Sequence, residues 1–136
     1  MVHVTQKEIQ KAFRNHKSVV DISGNLGCRT SKMVLFYAVE CGLKALYMRE
    51  NRLRRTDQEN SLKESVFSFK HDLNRLLVKM NMNIKVPKAV AKDNSQIEPK
   101  EIHEAWRYGK ELDKQKEQRC IERLKDILRE LELKLL

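Results

Sequence analysis

An all-α fold is what this sequence predicts, and three observations predict it. The 136 residues contain only four Gly and two Pro, too few for the many turns of an all-β chain. Long stretches are built from Ala, Leu, Glu, Lys, Gln and Arg, the strong helix formers. Apolar residues recur at spacings of three and four over residues 31–54, 61–80 and 115–136. The length suits one domain with one core. Hydrophobic residues at 40% and charged residues at 35% fit a folded chain with a wet surface.

The first helix is expected from about Thr5 to Ile22. Thr5 and Glu8 stand at capping-box spacing. "SGNLG", residues 23–27, reads as loop. The second helix starts near Thr30 or Ser31 and continues to about Arg54. Its apolar surface is wide: Val34, Tyr37, Ala38, Cys41, Ala45 and Met48 form one stripe, and Leu35, Val39 and Leu46 broaden it. A helix of that kind is touched on several sides, so it is expected at the centre. "TDQEN", residues 56–60, is a polar turn.

The third helix is expected from about Ser61, with Glu64 at the capping distance, to Met80. It contains "FSFKHDLNRLL", in which Phe67, Phe69, Leu73, Leu76 and Leu77 gather on one side. Lys70, His71, Asp72 and Asn74 then ride at its edge. Residues 81–98 are weakly patterned, and read as a loop that is mobile or holds one short turn. Pro99 suits the first position of a short helix, "PKEIHEAWRY", which Gly109 interrupts. The last segment is the cleanest: Cys120, Ile121, Leu124, Ile127, Leu128, Leu131 and Leu135 share one face.

Several chemistries find no support. The longest apolar run is too short to span a bilayer, and the N-terminus lacks a signal-peptide core. A cytoplasmic protein without a membrane association is expected. Cys28, Cys41 and Cys120 fit no zinc or disulfide spacing, and the latter two lie on apolar stripes, as inert thiols do. His3, His16, His71 and His103 form no metal-binding pair at helical spacing, so neither metal nor cofactor is expected. There is no P-loop, G-x-G-x-x-G or G-x-S-x-G.

The net charge is +9, and it is uneven. Residues 1–56 carry 11 Lys and Arg against 4 Asp and Glu, hence +7; residues 98–136 balance at 10 and 10. A basic half suits an anionic partner such as RNA or a nucleotide, or serves as a solvated surface. Arg49, Arg52, Arg54 and Arg55 form the densest basic patch. Aromatic and cationic residues also meet at "WRY": Trp106 as a core anchor, with Arg107 and Tyr108 able to hold phosphate and stack on a base.

"AVECGLKAL" (residues 38–46), "KHDLNRLL" (70–77), "WRY" (106–108) and a long amphipathic last helix occur in that order. Together they resemble the HEPN superfamily, the higher eukaryotes and prokaryotes nucleotide-binding domains. The matching positions are Glu40, Lys44, His71, Asp72, Leu73, Arg107 and Tyr108, and the resemblance covers residues 30–136. It implies an up-and-down antiparallel bundle of four or five helices that pairs as a homodimer. It also implies one of three roles: an RNA-cleaving toxin, a nucleotide- or RNA-binding module, or the partner of a minimal nucleotidyltransferase. The resemblance admits a place in a toxin–antitoxin or defence system.

One departure matters. Catalytic members carry Arg, four to six residues, then His late in the chain; here Arg107 is followed by no histidine. The sequence therefore predicts a noncatalytic HEPN-like module whose nucleotide or RNA site is drawn from Lys44, His71, Arg75, Arg107 and Tyr108. The alternatives are a ribonuclease with a variant site, His71 with Arg75 or Arg107, and a protein–protein interaction module. A structural role for "KHD" competes with the site: His71 or Asp72 would bond across to Arg107 or Tyr108 and fix residues 81–98.

Overall fold

A computed structural model of the chain describes residues 2–23, 27–59 and 64–135. It is mostly helical. Helix α1 is Gln6–Ser23, α2 is Arg29–Glu50, α3 is Leu73–Lys79, α4 is Ile102–Tyr108 and α5 is Lys114–Leu135. A two-stranded antiparallel ribbon joins β1 (Ala89–Val90) to β2 (Gln96–Ile97), pairing Ala89 with Ile97 and Val90 with Gln96. The ribbon lies in the stretch read as loop or short turn. None of the described helices is long and apolar enough to cross a membrane.

Helix α2 is central, with α1, α3, α4 and α5 all packed on it. Leu35, Phe36, Val39, Leu43 and Met48 are fully buried along it. Gly42 sets how closely its neighbours approach. A Cβ there would stand 2.7 Å from both Leu131 Cδ1 of α5 and Phe13 Cδ1 of α1, so the helix-weakening glycine is retained for packing. Helix α5 buries the predicted seven-residue stripe from Cys120 to Leu135.

The termini of the helices are set by local chemistry. At the start of α1 the Thr5 N–H donates to Glu8 Oε1 at 2.9 Å, and the Glu8 N–H donates to Thr5 Oγ1 at 3.1 Å. This is the expected capping box. Helix α2 stops at Glu50, four residues before the expected Arg54. Arg52 takes a left-handed conformation (φ 55°), and the Leu53 N–H reaches back to the Met48 carbonyl at 2.8 Å. That six-to-one bond is a Schellman ending. Helices α3 and α4 end in the same way, through Asn81 (φ 55°) and Gly109 (φ 79°).

The largest correction concerns "FSFKHDLNRLL". It is not one helix. Val66–Phe69 form a 3-10 helix, a turn follows, and α3 begins at Leu73. The break is at Lys70 (φ 50°, ψ −117°), and the Asp72 N–H donates to the Phe69 carbonyl at 2.9 Å. This is the signature of a type II′ turn with Lys70 where glycine is preferred. Asp72 then caps α3 by accepting the Arg75 N–H at 3.2 Å. The expected start of this helix at Ser61 lies outside the described residues.

Two short pairings tie the irregular segments down. Residues near the N-terminus run beside 54–56: the Thr56 N–H donates to the Val4 carbonyl, and the Gln6 N–H to the Arg54 carbonyl. Asn74 of α3 holds Val86 with both amide atoms, at 2.8 and 2.9 Å. Asn74, rather than His71 or Asp72, fixes the start of the 81–98 segment.

Candidate functional site

Tyr37, Glu40 and Lys44 follow one another at spacings of three and four along α2, so they share a face. Glu40 is only 7% exposed. A buried carboxylate requires partners, and it has two: His71 Nδ1 lies 2.7 Å from its Oε2, and Lys44 Nζ donates to the same atom at 3.3 Å. Burial pushes the Glu40 pKa up, but the His71 hydrogen bond and the nearby Lys44 charge outweigh it. The net shift is downward, so Glu40 is an anion at neutral pH.

With Glu40 as acceptor, His71 Nδ1 is the donor. That fixes the ring so that Nε2 is left to meet a ligand. His71 is half exposed, 49% for its side chain. The turn through Lys70 is what lifts it out of the helix it was expected to occupy.

Behind His71 stands His103 of α4, at 4.4 Å between ring centroids. His103 is 2% exposed, and its Nδ1 has no hydrogen-bond partner. It also packs on Phe36, 4.7 Å away, and faces Tyr37 at 6.0 Å. Burial and then the His71 charge lower its pKa, against the opposing pull of Glu40 and Glu104. His103 is therefore a neutral imidazole in the folded protein at pH 7.

Arg107, one turn further along α4, donates from Nη2 to the Tyr37 hydroxyl. Its guanidinium also lies 5.9 Å from the Tyr37 and Tyr108 rings. Tyr108 is 76% exposed. The result is a continuous row: Lys44, Glu40, His71, His103, Tyr37, Arg107. It has a cation at each end, two imidazoles between them and one buried carboxylate.

Of the sequence-predicted residues, Lys44, His71, Arg107 and Tyr108 belong to this region. Arg75 does not. It bonds both Glu64 oxygens at 2.7 and 2.8 Å and lies over the Phe69 ring. The bonds expected from His71 or Asp72 to Arg107 or Tyr108 are absent, because Glu40, the α3 cap and Tyr37 take their places. The basic patch also lies apart. From Glu40 to the end of α2 is ten residues, about 15 Å at helical rise. Arg49 donates to the Lys134 carbonyl at 2.8 Å, Arg55 pairs with Asp57, and Arg52 and Arg54 are exposed.

His103 and Tyr37 were missed. The signal for His103 was present: it precedes Arg107 by four residues, on the same helical face. The ribonuclease motif runs from Arg to a later His, and here the order is reversed. Among the described residues no group of His, Cys, Asp and Glu is arranged to hold a metal ion. Burial pushes the Cys41 and Cys120 thiols up to about 11, as inert thiols. No protein family, no curated protein and no solved structure matches this chain.

Proposed function

We propose that this chain is a noncatalytic HEPN-like helical module that binds the phosphates of RNA or of a nucleotide at the row from Lys44 to Arg107. The observation that carries the reading is the row itself. Lys44 and Arg107 stand at the two ends of the row, and Glu40 holds the His71 ring in one orientation. Arg107 brings a planar donor fork suited to phosphate. Exposed Tyr108 beside it offers a stacking face. The overall charge of +9 favours anionic partners at a distance.

The test is a titration of a short single-stranded RNA by fluorescence anisotropy, at about 50 and 200 mM salt. Affinity is expected to fall steeply with salt. Lys44→Ala and Arg107→Ala each weaken it, while Arg52→Ala and Arg54→Ala change it less. Binding that ignores salt, or that the Lys44 and Arg107 changes leave intact, removes the reading.

One observation favours a second reading, a HEPN ribonuclease with a variant Arg/His site. The His71–His103 pair, with ring centroids 4.4 Å apart and planes tilted by 46°, supplies two imidazoles in the same row as Lys44 and Arg107. His71 Nε2 could take the 2′-hydroxyl proton while that oxygen attacks phosphorus, with water protonating the departing 5′-oxygen. RNA cleavage by the parent, abolished by both His71→Ala and Arg107→Ala, would replace the binding module with the ribonuclease.

A further inference from the structure

A cleft of about 460 Å³ opens on the Lys44 side of His71. Val4, Val66 and Phe67 line it, together with Lys44, Lys70 and His71. Among the described residues no carboxylate lines it. The other cleft that Lys70 and His71 share is mixed in charge: Asp72, Glu101 and Glu104 line it together with Arg75 and Lys100. An anion with an apolar, flat body is thus directed to the first cleft. Mostly apolar walls with a few convergent polar groups, at this volume, are the usual make of a small-molecule site.

A second observation points to the same place. Lys70 holds φ 50° and ψ −117°, a conformation natural to glycine and unfavourable for a lysine. A glycine would serve the turn better. A lysine there gives the cleft a second cation beside Lys44.

We propose that this cleft is a nucleobase subsite, and that Lys70 is a phosphate-binding residue of it. The inference rests on the phosphate-binding reading above. The base stacks on Phe67 against Val4 and Val66, while Lys44, Lys70 and His71 hold the adjoining phosphate. The subsite reads no base edge. The hydroxyl lining it, Thr56 Oγ1, already meets His3 Nδ1 at 3.3 Å and accepts the Val4 N–H at 3.1 Å. Adenine and uracil nucleotides therefore bind alike, as sequence-tolerant stacking sites allow.

The experiment is calorimetric titration of the full chain with AMP, UMP, ribose 5-phosphate and octanoate. Both nucleotides are expected to bind at least about 5-fold tighter than ribose 5-phosphate, the low end for a stacked base. Phe67→Leu keeps the apolar volume and removes that advantage, leaving ribose 5-phosphate unchanged. Lys70→Gly weakens all three phosphates, yet its melting temperature stays level or rises because the strained turn is relieved. That combination separates a lost contact from a lost fold. Equal affinity for AMP, UMP and ribose 5-phosphate overturns the base subsite and leaves phosphate binding standing. No binding of any phosphate, alone or as RNA, overturns both readings. Octanoate binding without nucleotide binding overturns the proposal in favour of a lipidic anion. A lower melting temperature for Lys70→Gly overturns the role assigned to Lys70.

Discussion

Glu40 and His71 are 31 residues apart, yet the His71 ring nitrogen sits 2.7 Å from the Glu40 carboxylate. The contact joins the middle of the central helix to the turn before α3. It orients the imidazole and satisfies a carboxylate that the core would otherwise reject.

Breaking that contact at Glu40 should be costly. Glu40→Ala leaves Lys44, itself mostly buried, without its partner. The expected loss is about 2 kcal/mol, below the usual range for buried pairs because His71 is half exposed. Urea denaturation measures it. Arg75→Ala, which breaks an exposed pair with Glu64, should cost less than about 1 kcal/mol. Equal losses at the two sites would contradict the burial argument.

Stability should fall with acid through His103. Its pKa in the fold lies below the ordinary 6.5, whereas the unfolded chain takes up the proton at 6.5. Below that pH the unfolded state binds more protons, so stability decreases as pH falls. The groups facing His103 are His71 from the turn, Glu40 from α2, and Glu104 and Arg107 from its own helix. Glu40, also lowered from its ordinary 4.5, adds a further loss below that value. Unfolding measured at pH 7.5, 6 and 5 should show the decline, and His103→Leu should flatten its upper part. A parent protein equally stable at all three would refute the assignment.

Gly42→Ala should destabilise despite the better helix propensity of alanine. The new methyl meets Leu131 and Phe13 at 2.7 Å. Overpacking of this kind costs about 1–3 kcal/mol, against a propensity gain of about 0.5–1. A thermal melt lower than the parent's is the expected outcome, and a higher one would show that α1 and α5 yield.

Arg52→Gly should stabilise by about 0.5–1 kcal/mol, since the left-handed position after α2 suits glycine and not arginine. Chemical denaturation gives the difference directly. A loss of stability would mean that the arginine side chain contributes more than its backbone costs.

These positions show what was legible in the sequence. Thr5 and Glu8 announced the start of α1, because a capping box is local chemistry. The α5 stripe announced its buried face, because a 3.6-residue period is visible without any partner. Gly109 announced the end of α4. Arg52 ends α2 in the same geometry, but with a residue that carries no such signal. Lys70 hid the break before α3 in the same way: the apolar spacing from Phe67 to Leu77 imitates a helix across the turn. The candidate site was half legible. Lys44, His71 and Arg107 stood out as charged residues on helical patterns. His103 did not, since an isolated histidine gains its meaning only from the ring packed against it.

The single tryptophan of the chain lies on the helix that carries His103 and Arg107. Trp106 is buried, and its indole N–H donates to Glu117 at 2.8 Å, a carboxylate that also pairs with Lys32 of α2. Its emission is therefore an optical reporter already built into the junction of α2, α4 and α5. Any ligand that draws Arg107 away from Tyr37 acts one position along from that indole. The unlabelled protein can thus signal occupancy in a cuvette, and its own light can time the arrival and departure of whatever it holds.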